Sequence, residues 1–285
     1  TDRNLKFSRP LFHIDSSNVF CGRMENDSTP RPLMMVAVSS ELSVTRASML
    51  ADCPMKFYLS NIIKFSEEDV EYLNGLARNV TDHERDEHLP VLSKLSSSAE
   101  RGTHLHGLLA KLIQSNWMMV EEDESIISNR DRDSISWVKS LLEQHWQAGD
   151  EFYSETPLKF KFSGHMIAGT PDLVIVSKLN VQNLQIWDFK TGTAKTEKEG
   201  GYWAQLRMYA HHFFQENKDA KITLKLVYLD QQLVKAEEHT ASSCVQKLEQ
   251  IWSLKKDYRV CNHTHCLFCN FGNICPRNAF SATYP

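Results

Sequence analysis

The chain has no run of about 18 consecutive apolar residues, the minimum for a membrane-spanning helix. Its polar start, from Thr1, has no signal-peptide pattern, so a cytoplasmic, intracellular location is expected. Position 1 is not Met, which fits a processed chain or a domain cut from a larger protein. Positive charge is not in excess: 32 Lys and Arg stand against 36 Asp and Glu, a formal charge of −4. That excludes a generically basic nucleic-acid binder, although a local basic groove needs no net positive charge. No G-x-x-x-x-G-K-[ST] loop is present, so the chain alone is no ATP-driven motor. Internal repeats, low-complexity tracts and sequence-reading fingers or recognition helices are absent too.

What is present suits one large domain or two small ones: 285 residues, 41% of them hydrophobic. Residues 1–42 have weak periodicity and read as an irregular arm. Helical spacing begins near Ser43 and runs to Ile63, with Leu50, Cys53, Phe57 and Tyr58 on related faces. The acidic stretch 65–98 reads as a solvated connection. Helices are predicted over Glu100–Asn116, on an apolar stripe from Leu105 to Ile113, and over Asp131–Trp146. β-branched and aromatic runs then predict strands at Leu158–Phe162, Met166–Val176 and Leu184–Phe189, with Gly164 at a hairpin turn. A helix at Tyr202–Gln215, strands at Ile222–Tyr228 and Gln232–Ala236, and a helix at Ala241–Lys256 follow. Gly200-Gly201 reads as a flexible loop before the Gln205 helix.

Seven cysteines are present, Cys21, Cys53, Cys244, Cys261, Cys266, Cys269 and Cys275. The number is odd and four crowd the last 25 residues, which argues for a metal or cluster over a disulfide framework. Cys261, Cys266, Cys269 and Cys275, with His263 and His265 nearby, could form a local tetrahedral Zn²⁺ site. That reading leaves Cys53 without a role.

Asp172 follows Pro171 within a strand-like run, and Asp188-Phe189-Lys190 comes 16 residues later on the next strand. Residues i and i+2 of a strand share a face, so Asp188 and Lys190 point the same way and a neighbouring strand can bring Asp172 alongside. Two carboxylates make a hard oxygen site for Mg²⁺ or Mn²⁺. A lysine beside them can orient a water and offset developing negative charge. Any one of these triplets alone is more often a solvated strand end; order and spacing together carry the reading. Glu155, at the start of the hairpin, could face the site, although a structural role is the commoner one for such a residue.

In that order and spacing the chain resembles the RecB-like PD-(D/E)xK nucleases. Pro171-Asp172 and Asp188-x-Lys190-Thr191-Gly192 resemble the core motif, Gln205-x-x-x-Tyr209 the Q-x-x-x-Y element, and Gly102-Thr103-x-x-His106 the G-T-x-x-H helix, with His104 the nearby competitor. The resemblance covers about residues 43–277. It implies an α/β (α+β) restriction-endonuclease-like core, a central mixed sheet flanked by helices. It divides the chain into the arm at 1–42, a helical segment at 43–115, a nuclease core at 150–258 and a C-terminal cluster-binding segment at 259–285. It implies His106, Asp172, Asp188 and the Phe189 backbone carbonyl as metal ligands, Lys190 as the water-activating residue, and Gln205 and Tyr209 as strand-positioning residues.

Cys53-Pro54-x-x-Phe57, with Cys266-x2-Cys269-x5-Cys275, resembles the cluster-bearing members of the group, of the AddB nuclease-domain and CRISPR-adaptation type. By that resemblance Cys53, Cys266, Cys269 and Cys275 hold a [4Fe–4S] cluster that clasps the N- and C-terminal segments, with Cys21, Cys244 and Cys261 as spectators. Relatives act as exonucleases, alone or with helicase and repair-complex partners. The implied substrate is DNA, as single strands or ends. Lys159, Lys161, Lys178, Lys190, Lys195, Lys198 and Arg207 could track phosphates, and Tyr202 and Trp203 could stack on bases. The alternative is a non-catalytic DNA-binding or scaffold module of a repair complex.

Overall fold

A computed structural model describes residues 41–64, 91–117, 127–145, 149–177, 183–194 and 196–254, together with 266, 269–272 and 275; residues 91–99 and 196–198 are described by backbone only. The predicted arm up to residue 40, the connection at 65–90, Trp146, Lys178, Lys195, Lys256, and Cys21, Cys261, His263 and His265 lie outside them.

The described chain begins with strand β1 (Glu41–Ser43) and helix α1 (Val44–Asp52). Ser43 caps α1, its Oγ accepting the Arg46 N–H at 3.1 Å. The predicted helix over Ser43–Ile63 is broken: Cys53 is extended, Pro54 starts a four-residue helix α2 (Pro54–Phe57), and a π-helical turn covers Tyr58–Ile63. Proline explains the break, because it suits a first helical position and disfavours helix in the residue before it. Helix α3 (Val91–Gln114) begins nine residues before the predicted Glu100, inside the stretch read as a connection. Helix α4 (Asn129–His145) lies close to expectation.

Strands β2 (Glu151–Ser154), β3 (Leu158–Phe162), β4 (His165–Gly169), β5 (Leu173–Val176) and β6 (Asn183–Lys190) follow. Then come helix α5 (Thr196–Glu216), β7 (Lys221–Tyr228), a 3₁₀ turn (Leu229–Gln231), β8 (Leu233–His239) and helix α6 (Ala241–Ser253). The single strand predicted over Met166–Val176 is in fact two. β4 joins the three-stranded sheet β1-β4-β3, whereas β5 joins the five-stranded sheet β2-β5-β6-β7-β8. The chain crosses between sheets at Thr170–Asp172, so Asp172 sits at the crossing and not within a strand. β1 also shortens the arm, since Glu41–Ser43 pairs in parallel with Met166–Ala168.

Both sheets are mixed. In the larger one β6 runs antiparallel to β5 and parallel to β7, with Leu173 opposite Trp187 and Lys190 opposite Tyr228. Alternation along β5 to β7 divides the core in two. Val174, Ile186, Leu224 and Leu226 pack toward Leu206, Met208 and Phe214 of α5. Leu173, Ile175, Trp187, Phe189 and Val227 pack toward Leu105, Leu109, Val138 and Leu142 of α3 and α4. Asp188 and Lys190 share the parity of Ile186, which places them on the α5 side, at the end of the strand that faces the crossing.

Gly200 and Gly201 are helical within α5, not a loop. They make room for another helix: a Cβ on Gly201 would run into the Asp52 carboxylate at the end of α1, and one on Gly200 would meet the Ala51 carbonyl oxygen at 3.5 Å.

Candidate active site

Three elements converge at the sheet crossing. The β5–β6 register sets Asp172 opposite Asp188, and α3 carries His106 over them. His106 Nδ1 lies 3.2 Å from Asp172 Oδ1, and the other Asp172 oxygen accepts the Phe189 N–H at 2.6 Å. The main chain of Asp172 is pinned as well, its carbonyl accepting the Ser154 hydroxyl at 2.8 Å and the Glu155 N–H at 3.3 Å. Lys190 Nζ approaches Asp188 Oδ2 at 2.6 Å, and the Tyr202 ring lies 4.5 Å from the same ammonium. Asp188 is 3% exposed.

Glu155, for which the sequence left both a structural role and a place at the site open, stands beside it. Nitrogen or carboxylate-oxygen atoms of His106, Glu155 and Asp172 all lie within 4.8 Å of one another. Its backbone stands at φ 50°, uncommon for a residue with a side chain, and is held there by its bond to the Asp172 carbonyl. The signal that could have found it was an acidic residue just ahead of a hairpin; the strand that delivers it, β2, was not expected. Burial along β2 alternates, Glu151 and Tyr153 outward and Phe152 and Ser154 inward, but an outward tyrosine and an inward serine hide that alternation in the residue types.

The electrostatics suit a cation-binding site. Burial pushes the Asp188 carboxyl up to about 6, against the pull of Lys190 and with the push of Asp172. Burial and Asp172 raise Glu155 too. Burial works against charge on His106, but Asp172 outweighs it and raises the imidazole. Lys190 likewise stays an ammonium despite burial, because Asp188 and Asp172 surround it with negative charge. Crowded carboxylates with an imidazole nitrogen at ligand spacing are a donor set that fits Mg²⁺ or Mn²⁺.

Gln205 and Tyr209 of α5 point at the crossing. Tyr209, 2% exposed, donates its hydroxyl proton to the Thr170 carbonyl at 3.0 Å and accepts a long hydrogen bond from the Gln205 amide at 3.5 Å. Burial raises the Tyr209 hydroxyl well above its ordinary value.

Of the basic residues expected to track phosphates, Arg207 is buried and bonded to Glu237 at 2.7 Å, which removes it from the surface. Lys159 pairs with Glu41 at 3.0 Å, and Lys161 is exposed. Tyr202 was expected to stack on bases, but its ring lies over Lys190, and Trp203 is near Arg207.

A second gathering of side chains lies where α2 meets the C-terminal segment. Cys53, Met55, Leu59 and Phe271 form a small buried group, with Cys269 and Cys275 packed against it. Burial raises the Cys269 thiol, and Cys53 and Cys266 are near enough to add to that effect. No disulfide joins the cysteines among the described residues. Cys244 lies apart, buried in the main core, its thiol donating to the Arg207 carbonyl and pushed up to about 12 by burial.

Two mixed sheets flanked by helices, with acidic residues and a lysine where the strands cross, are consistent with a restriction-endonuclease-like core. A family model described as the PD-(D/E)XK nuclease superfamily matches residues 41–276, and the chain belongs to that superfamily of metal-dependent nucleases. No curated protein matches it. Among solved structures, one titled "Crystal structure of SSO0001" is similar at 18% identity and a TM-score of 0.39, over 84% of this chain and 87% of that one.

Proposed function

We propose that this protein is a DNA nuclease of the RecB-like subtype that hydrolyses phosphodiester bonds at single strands or ends as an exonuclease. The observation that carries the reading is the approach of His106, Glu155 and Asp172 to within 4.8 Å, joined to Asp188 and Lys190 through the Phe189 N–H bond to Asp172. His106, Asp172, Asp188, the Phe189 carbonyl and, added from its position, Glu155 would hold Mg²⁺ or Mn²⁺. The bound cation would supply positive charge beside the scissile phosphate and acidify the attacking water. Lys190 orients that water and stabilises charge developing on the phosphate. The water oxygen forms a bond to phosphorus, the phosphorus–oxygen bond to the leaving nucleotide breaks, and the departing oxygen takes up a proton. Tyr209 and Gln205 fix the Thr170 carbonyl, and with it the crossing beneath the strand to be cut.

The same reading assigns Cys53, Cys266, Cys269 and Cys275 to a [4Fe–4S] cluster. It is supported by the packing of Cys53, Cys269 and Cys275 in one corner, although Cys53 is more than 200 residues from the others in sequence. A Zn²⁺ site in its place would draw on Cys261. A helicase or repair complex is the partner that the RecB-like subtype suggests.

End-labelled single- and double-stranded DNA with Mn²⁺ or Mg²⁺ tests the activity. Cleavage by the wild type and its loss in Lys190→Ala is the expected result, and a ladder of mononucleotide steps would establish exonuclease action. Full activity in Lys190→Ala would overturn the assignment. A well-folded, metal-loaded wild type that binds DNA in a salt-dependent way but leaves it intact would favour a scaffold module. Iron, sulfide and zinc analysis of anaerobically purified protein decides the second assignment, which equimolar zinc without iron would defeat.

A further inference from the structure

The turn after β7 carries a charged cluster that the chemistry above does not use. Asp230 has a side chain only 4% exposed, and its two oxygens face three donors. Arg101 grips both oxygens, Nη2 to Oδ1 at 2.8 Å and Nη1 to Oδ2 at 3.1 Å. Arg130 adds a contact to Oδ2 at 3.0 Å, and the Gly192 N–H donates to the same oxygen at 2.5 Å. The next residue of the turn repeats the contact, the Gln231 side-chain oxygen accepting the Ala194 N–H at 2.5 Å. Burial would raise the Asp230 carboxyl, but Arg101, the Gly192 N–H and Arg130 hold it below its ordinary value. Asp131 braces the far side of the same guanidinium, accepting from Arg101 Nε at 2.9 Å and Nη2 at 2.6 Å.

The three donors belong to different parts of the site. Arg101 lies on α3, five residues before His106. Gly192, at φ 88°, lies two residues after Lys190. Arg130 opens α4. The same helix and loop also touch directly, since a Cβ on Gly102 would sit 3.1 Å from Thr191 Oγ1. A surface ion pair would not need a main-chain donor in a left-handed turn, nor a glycine at the point where helix and loop meet.

We propose that Asp230 is a positioning residue, a fixed point that sets the His106 helix against the loop leaving Lys190 and so holds histidine and lysine in register across the metal-facing pocket. The proposal rests on the nuclease reading above. Groups that orient a metal site from behind its ligands change metal affinity or activity by about 10–100-fold when removed. A displacement of helix against loop by a fraction of an ångström acts on both, because catalysis depends steeply on alignment.

The test uses the full chain and three variants, Asp230→Asn, Gly102→Ala and Lys190→Ala, with Mn²⁺ binding followed by loss of the free-ion paramagnetic resonance signal. Asp230→Asn is expected to weaken Mn²⁺ binding and lower kcat on single-stranded DNA by about 10–100-fold, with KM for DNA within about twofold. Gly102→Ala keeps the test open should Asp230→Asn fail to fold. Alanine is the better helix former, so the melting temperature should hold or rise while kcat and Mn²⁺ affinity fall. A role confined to stability would move these readouts in the opposite sense. Wild-type Mn²⁺ affinity and kcat in a folded Asp230→Asn, or in Gly102→Ala, would overturn the positioning role, while loss of cleavage in Lys190→Ala would leave the nuclease reading intact. If the wild type cleaved no DNA, the nuclease reading would fall, and Mn²⁺ affinity in the two positioning variants would still decide the role of Asp230.

Discussion

The carboxylate centre and the cysteine corner are both gatherings of reactive side chains, but chain geometry assembles them differently. Asp172, Asp188 and Lys190 come together because adjacent strands in register set residues 16 apart beside one another. Cys53 and Cys275 have no such local rule. They meet because α1 lies along α5 and the chain end returns to α2, with Phe271 filling the space between. The first site is therefore held by sheet hydrogen bonding, while the second is held by side-chain packing. Gly201 connects the two regions, its neighbour Tyr202 lying over Lys190 while its own backbone rests against Asp52, one residue before Cys53.

The variants that would break or sharpen this contrast run from large effects to small. On the proposed cluster assignment, Cys53→Ser should open the cysteine corner and lower stability by on the order of 4–5 kcal/mol, by analogy with a cross-link closing a loop of this length. Cys244→Ser, in the main core and far from that corner, should keep the visible absorbance of a cluster; chemical denaturation and absorption spectra check both. Asp188→Asn should lower cleavage by on the order of 10²–10³-fold with the circular dichroism spectrum retained, because it removes a charge only the carboxylate centre needs. Activity near the wild-type level would dissolve that side of the comparison. Gly201→Ala should cost about 1–3 kcal/mol, as overpacking does, by forcing α5 away from Asp52, and should lower cleavage along with thermal stability if the two regions are coupled through Tyr202. A variant that melts earlier but cleaves normally would show them to be independent.

The smallest effect concerns Glu237, which joins β8 to α5 and α6. Burial alone would raise its carboxyl, but Arg207, His239 and Lys247 hold it at about 2. The folded protein thus releases that proton more readily than the unfolded chain, whose value is near 4.5. The stabilisation is complete above pH of about 4.5 and disappears as pH falls through about 2. Glu237→Gln should flatten the acid side of the stability profile in that window without changing cleavage at neutral pH, as urea titrations at stepped pH would show.

Much of the centre could be read along the chain. Alternation fixed which face of β6 carries Asp188 and Lys190, and Gly164 lies at its hairpin turn with φ 82°. The resemblance of Gly102-Thr103-x-x-His106 to the G-T-x-x-H helix pointed to His106, which stands 3.2 Å from Asp172. Other features were not read from the chain. Met166–Val176 was read as one strand, although Gly169 and Pro171 are residue types that interrupt one, and the division into two sheets shows the break at Thr170–Asp172. β2 is too polar at its edge to announce itself, so the sequence favoured a structural role for Glu155 over a place at the site. Gly200-Gly201 has the composition of a loop, and its helical state depends on the close approach of α1, which rewards the missing Cβ more than helix propensity penalises it.

By itself the amino-acid sequence determined the period-two placement of Asp188 and Lys190, the apolar stripe that turns α3 inward, and the set of side chains available for chemistry. Those properties follow from local backbone geometry and solvation, which every short segment carries with it. Tertiary structure alone decided which acid joins His106 and Asp172, how one strand-like run divides between two sheets, and that Asp230 reaches both Arg101 and Gly192. These depend on contacts between segments as many as 129 residues apart, whose geometry exists only once the sheets and helices have packed.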